Sequence, residues 1–305
     1  DWVEQINLNA DIGAGGARTI DNIAATTTTN LIVDATDVDL SHVDAGGVGV
    51  QTLSASIGGD AAVTVDELNI NGVENISIAS TGEAANTISE LLADTVRTLT
   101  VTGDQDLTVT ELTNIADGIE ASAFTGGLDI DLAEAGGDGA AQTSAISIDL
   151  GSGDDTVTHD TAAQLGHEIA TGAGSDTIEI LNVAGGTTET VAGRIKISDF
   201  TVGDTGDTLD LSSGAGTIVT DAELEGIQTA VDALAAGSTV TDAITAAYGS
   251  FTVAADEVFH FEFSGNTYVV YDDDGSGADQ FDDGEDFVIE LTGTTGFAAA
   301  DDLAL

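Results

Sequence analysis

Two octapeptides decide how this chain reads: Leu150-Gly-Ser-Gly-Asp-Asp-Thr-Val157 and Thr171-Gly-Ala-Gly-Ser-Asp-Thr-Ile178. In each, two glycines one residue apart open backbone conformations that a Cβ forbids, and an Asp stands two residues after the second glycine. Carbonyls released by such a turn, together with the carboxylate, form the hard-oxygen donor set that calcium takes. Each turn ends in Thr-Val or Thr-Ile, a β-branched pair that starts a strand and can point its apolar member into a core. The candidate ligand positions are Gly151, Gly153 and Asp155 on the first turn and Gly172, Gly174 and Asp176 on the second. A pair of metal-free Gly-Asp surface turns is the plainer alternative.

Working outward, strand-like segments recur with tight turns between them: Gln5–Leu8, Asn30–Asp34, Asp37–Leu40, Ala62–Val65, Asn75–Ile78, Thr98–Val101, Leu107–Val109 and Leu128–Leu132. They alternate apolar and polar residues and are bounded by Gly, Asn or Asp, at spacings of about 10 to 25 residues. That recurrence favours a stacked solenoid with about 20 residues per coil over an α/β sheet. Within it, Ile88, Leu91 and Leu92 have helical spacing, so a short helix is expected over Ala85–Leu92. His42 reads as a solvated turn histidine, and Asp104 and Asp106 as a solvated acidic turn that could hold a further cation.

After the two turns, Asp204 and Asp207 in Gly203-Asp-Thr-Gly-Asp-Thr-Leu209 repeat the Asp-Thr-apolar ending and are further candidate ligands. Arg194 and Lys196 read as local partners of carboxylates. Leu224, Ile227, Val231 and Leu234 predict a helix within Thr220–Tyr248, capped by Thr220 or Asp221. Strands follow at Glu257–Phe263, Asn266–Tyr271 and Asp286–Leu291, the first two joined by a hairpin turn at Ser264-Gly265. The acidic link from Asp272 to Asp283 can be laid on an EF-hand-type loop, with Asp272, Asp274, Ser276 and Asp283 as ligands, although its flanks are strands.

Composition sets limits. Of 305 residues, 55 are Asp or Glu and 4 are Lys or Arg, a formal charge of -51. A compact state at that charge repels itself unless cations bind, and the same field repels nucleic acid and anionic membranes. There is no Cys for a disulfide and no Pro to interrupt a strand ladder. No run of about 18 apolar residues is present for a membrane span, and Asp1-Trp2-Val3 does not resemble a secretion leader. No nucleophile elbow, H-E-x-x-H or phosphate loop occurs, so no enzyme activity is expected.

With these residues in view, the two turns resemble the glycine- and aspartate-rich nonapeptide of RTX proteins, with Leu150 and Thr171 in place of the first glycine. Residues 150–305 resemble RTX proteins exported by type I secretion, and residues 290–305 have the apolar and acidic texture of their export tails. The preceding Ala-, Thr-, Gly- and Asp-rich region looks most like the calcium-dependent surface-layer (S-layer) proteins of Gram-negative bacteria. The resemblance implies an all-β fold, a parallel β-helix or β-roll with a C-terminal helix and hairpin cap. Its parts would be a solenoid over 1–148, a calcium-binding roll over 149–215 and a closing region over 216–305. It further implies Ca2+ as the bound ion, an extracellular location, and self-assembly into a lattice or filament, with a cell-surface polysaccharide as a further partner. Two alternatives stay open: the export and folding module of a secreted hydrolase, and a calcium-rigidified adhesin.

Overall fold

The structure, a computed structural model, describes residues 5–8, 18–24, 27–32, 34–43, 50–93, 96–112, 115–132, 144–160, 166–181, 191, 193–211, 216–251, 256–272, 281 and 286–305. They fall into two compact units, residues 1–158 with 172–174, and residues 159–171 with 175–305.

The first unit is a parallel β-solenoid. Its strands are β1 (Gln5–Leu8), β2 (Arg18–Ile23), β3 (Thr28–Leu31), β4 (Ala35–His42), β5 (Thr52–Ile57), β6 (Thr64–Asn71) and β7 (Asn75–Ser80). They continue with β8 (Asn86–Leu92), β9 (Thr98–Gly103), β10 (Leu107–Val109), β11 (Gly118–Glu120), β12 (Leu128–Asp131), β13 (Ser147–Asp149) and the start of β14 (Thr156–Asp160). Odd-numbered strands pair in one sheet and even-numbered strands in a second, so each coil gives one strand to each. The pairing is parallel and, apart from a shift between Ile20 and Ile23 of β2, in register, and it stacks like residues on like. Leu53, Ile76, Leu99, Ile119 and Ile148 make one buried column. Ala35, Val65, Ile88, Val109, Ile130 and Val157 make the other. Alternation along each strand thus becomes a continuous core across coils, which a single coil could not bury.

Coil length varies around the expected value. Thr98 pairs with Gly118, 20 residues on, and Val38 with Leu68, 30 residues on. The helix expected over Ala85–Leu92 is strand β8. Its inward residues Ile88 and Leu91 are three apart because Ser89 and Glu90 both face away from the core, and Val65 and Leu68 flank Asp66-Glu67 in the same way one coil earlier. A bend at the same level of successive coils thus imitates helical spacing. His42, expected in a solvated turn, ends β4 and is buried.

The second unit begins as solenoid and ends as something else. β15 (Glu168–Ala170) pairs with β17 (Ile195–Ser198), and β16 (Thr177–Leu181) with β18 (Thr208–Asp210), all parallel. After β19 (Thr217–Ile218) come α1 (Asp221–Asp232) and α2 (Val240–Tyr248). The single helix expected here is therefore two, separated at Gly237, whose φ of 93° is left-handed. Each helix has a Thr before its first residue: the Thr220 N–H donates to Glu223, and Thr239 and Asp242 exchange bonds reciprocally. The hairpin forms as expected, β20 (Glu257–Phe263) turning at Ser264-Gly265 into antiparallel β21 (Asn266–Asp272). β22 (Phe287–Thr292) then pairs with β21 on one side and with solenoid strand β17 on the other. Four-residue α3 (Ala299–Asp302) leads to β23 (Leu303–Ala304), which pairs with β18. The helices bury Ile227, Val231, Ile244 and Tyr248 against Phe259, Phe261 and Tyr268 of the hairpin. No helix among the described residues is long and apolar enough to cross a membrane.

Candidate metal-binding turns

Five of the even-numbered strands share an entry device. At or just before the start of β4, β8, β10, β14 and β18 stands an Asp or Asn whose side-chain oxygen accepts a backbone N–H at the corresponding corner of an adjacent coil. Asp34 accepts from Thr64 (2.9 Å), Asn86 from Val63 (3.1 Å), Asp106 from Gly127 (2.8 Å), Asp155 from Leu128 (2.7 Å) and Asp207 from Asp176 (2.9 Å). A parallel ladder leaves donors unpaired where the chain enters and leaves each strand, and a short side-chain acceptor satisfies one at each of these five corners. This ladder escaped the sequence reading, although an Asx ahead of an apolar-alternating segment is its signal.

The first turn, in the first unit, joins that ladder. The Gly151 N–H donates to the second oxygen of Asp155 at 3.2 Å, so both oxygens of this buried carboxylate hold backbone donors. Burial pushes its pKa up to about 6 against the pull of the two N–H groups, and Asp154 and Asp106 add to the rise. The glycines have a steric reason of their own. A Cβ on Gly151 would stand 2.1 Å from the carbonyl oxygen of Phe124, and one on Gly153 2.1 Å from that of Gly126. Leu150, where the nonapeptide has its first glycine, buries its side chain.

On the second turn, Gly172–Gly174 pack on the first. The Ala173 N–H donates to the Gly151 carbonyl at 3.0 Å, and Gly172 has a left-handed φ of 85°. Gly174 has a φ of 149° and is exposed. Thr171 and Asp176, counted with the second unit, are buried beside Asp207. Asp207 accepts from the Asp176 and Thr201 N–H groups and from the Thr171 hydroxyl (2.9, 2.7 and 3.1 Å), which gives Thr171 its place where a glycine was expected. Asp204 is exposed in the turn before it.

Beside the first turn lies a groove of about 460 Å³, lined by Asp106, Asp129 and Asp154 with the hydroxyl residues Thr108, Thr125 and Ser152. Each carboxylate comes from a different coil. Asp129 is raised in pKa by desolvation. The donors are hard oxygens, the set calcium prefers, and here the residues fit the ion better than Asp155 does, whose oxygens both hold backbone N–H groups. Asp129 and Asp154 were missed in the sequence because neither stands at the Asp position of a nonapeptide. Among the described residues, no three His, Asp or Glu side chains are already drawn together as a metal cluster.

Of the expected hairpin ligands, Asp272 is buried at the end of β21. Asp274, Ser276 and Asp283 lie outside the described residues. The Tyr248 hydroxyl donates to buried Asp286 at 3.1 Å, and both Asp286 and Asp272 raise the Tyr248 pKa further after burial itself. Arg194 and Lys196 pair with carboxylates as expected, with Glu290 and Glu168. No family model matches this sequence, and no curated protein matches it at a significant level. Fold and turns define the class: an all-β parallel solenoid with acidic, glycine-bearing corners, closed by helices and a hairpin.

Proposed function

We propose that the chain is a secreted structural protein whose solenoid orders on meeting extracellular calcium and which then assembles with further copies into a surface layer or filament. The observation that carries this reading is the groove lined by Asp106, Asp129 and Asp154 of three coils, in a chain with a formal charge of -51. Coils stacked about 4.8 Å apart bring such carboxylates to separations at which they repel strongly unless a cation stands between them. Bound calcium would supply that positive charge and link one coil to the next through shared oxygen ligands. By linkage, an ion that binds only the folded state lends its binding energy to folding. Where calcium is scarce the carboxylates keep the chain loose for type I export; where it is millimolar the coils close. A cell-surface polysaccharide is the anchor expected for such an assembly.

The test is circular dichroism and negative-stain electron microscopy on one sample, in excess chelator and then at about 5 mM calcium. A gain of β signal with ordered sheets or filaments only in calcium is the expected result. Calcium-induced folding into dispersed monomers would favour an export module or an adhesin. No response to calcium would remove the basis of the reading.

A further inference from the structure

The chain has four basic residues, and three are engaged by its own carboxylates: Arg97 by Asp117, Lys196 by Glu168 and Arg194 by Glu290. The fourth, Arg18 at the start of β2, is exposed and makes no ion pair among the described residues. In the second unit, a cavity of about 580 Å³ opens between α1, the β20–β21 turn and Phe297. Leu224, Phe263 and Phe297 line it with apolar surface, Asp232 and Glu262 with carboxylates, and among the described residues no Lys or Arg is in its walls. Burial lowers the pKa of His260, also in the wall, so its imidazole stays neutral near pH 7.

The acidic groups are held in place before any ligand arrives. The Gln228 side chain accepts from the Glu262 N–H (2.8 Å) and donates to the Glu262 carbonyl (3.0 Å) and to one oxygen of Asp232 (2.8 Å). One oxygen of Glu262 accepts from the Gly296 N–H at 2.7 Å. The second oxygen of each carboxylate has no hydrogen bond among the described residues and can accept from a guest. Carboxylates beside aromatic rings suit a guanidinium, which is planar, forks onto carboxylate oxygens and stacks on ring faces. The same unit already contains that combination: Arg194 pairs with Glu290 while its guanidinium carbon lies 5.7 Å from the centre of the Tyr268 ring. The cavity repeats the carboxylate and the aromatic without the cation.

We propose that Arg18 of a second copy seats in this cavity, its guanidinium on Asp232 and Glu262 and its stem against Phe263. The proposal rests on the self-assembly reading and names one contact of that assembly. Arg18 and the cavity have no residue in common, so the contact is heterologous and propagates into an open array unless a rotation closes it into a ring.

The test compares Arg18→Glu and Asp232→Asn with the wild type in calcium, by circular dichroism for folding and by electron microscopy and sedimentation for assembly. Both variants should keep the wild-type spectrum yet need at least about tenfold more protein to assemble, the loss expected when one partner of a desolvated charge pair is removed. Arg18→Glu combined with Asp232→Arg should assemble again. An Arg18→Glu chain that assembles like the wild type overturns the contact. Should the wild type never assemble, the structural reading fails by itself, and the cavity is then judged by NMR titration. Acetyl-arginine-amide should shift the amides of Gln228, Phe263 and Gly265, and its neutral isostere acetyl-citrulline-amide should not. Equal shifts from both, or shifts scattered over the acidic surface, would overturn the proposal.

Discussion

In the first unit the core consists of Leu, Ile and Val columns repeated coil upon coil, and Phe124 is its one aromatic among the largest fully buried side chains. In the second, Tyr248, Phe259, Phe261, Tyr268 and Tyr271 fill that role. Around them two capped helices lie on an antiparallel hairpin. The solenoid places backbone on backbone, so its positions tolerate almost no change of size, and each coil depends on its neighbours. The helix and hairpin region packs side chain on side chain around one centre, where rearrangement costs less. Two ways of burying apolar surface therefore coexist in one chain, and they should respond differently to the same perturbation.

The largest expected effect sets glycine against glycine. Gly151→Val would force a side chain onto the Phe124 carbonyl 2.1 Å from its Cβ, and should destabilise the first unit by more than about 4 kcal/mol in urea unfolding. Gly237→Ala, with a φ of 93° but nothing within 4 Å of the added Cβ, should cost only about 1 kcal/mol. Equal costs would break the steric account of Gly151, in which a neighbouring coil leaves no room for a side chain.

Next comes a pair of ion pairs. Arg194 and Glu290 are largely buried, their side chains 15% and 7% exposed, and Arg194→Ala should cost about 3 kcal/mol because it leaves Glu290 without its cation.

pH separates the units by sign. In the second unit, His159 and His167 are buried edge to face with ring centres 4.7 Å apart, and burial first, then the neighbouring imidazole, lowers the His159 pKa to about 3. The folded value lies below the unfolded one, so this neutral histidine's contribution is complete above pH 6.5 and is lost as pH falls toward 3. The slope should reach about 1.4 kcal/mol per pH unit, and His159→Leu should flatten it. In the first unit, Asp155 has a folded pKa raised to about 6, above the unfolded value of 3.8. Its contribution is complete below pH 3.8 and is lost as pH rises through 6. Urea titrations of wild type, His159→Leu and Asp155→Asn between pH 4 and 7 would show the two opposed slopes, and parallel curves would refute the assignment.

The smallest effect sharpens the ion-pair comparison: Arg97→Ala, which breaks an exposed pair with Asp117, should leave the urea-unfolding midpoint close to that of the wild type.

Strand existence was legible wherever alternation was strict. Leu107–Val109 was read to the residue by its alternation, and Glu257–Phe263 likewise by its β-branched and aromatic residues and the hairpin turn that follows. Ala85–Leu92 was misread because a bent strand and a helix both place apolar residues three apart. The turn glycines were found by their pattern, but the pattern gave only the metal reason for them. The steric reason lies in a neighbouring coil more than 20 residues away.

By itself, then, the sequence determined the class of fold, the corners at which it turns and the excess negative charge that any compact state must neutralise. These depend on local periodicity, on glycine's missing Cβ and on a count of charges, all of which can be read along the chain. Only the tertiary structure decided which carboxylates are buried with N–H donors on both oxygens, as Asp155 and Asp207 are, and which line a groove, as Asp129, Asp154 and Asp106 do, the last while also holding the Gly127 N–H. That division depends on the register between coils of unequal length, which is fixed by contacts far apart in sequence.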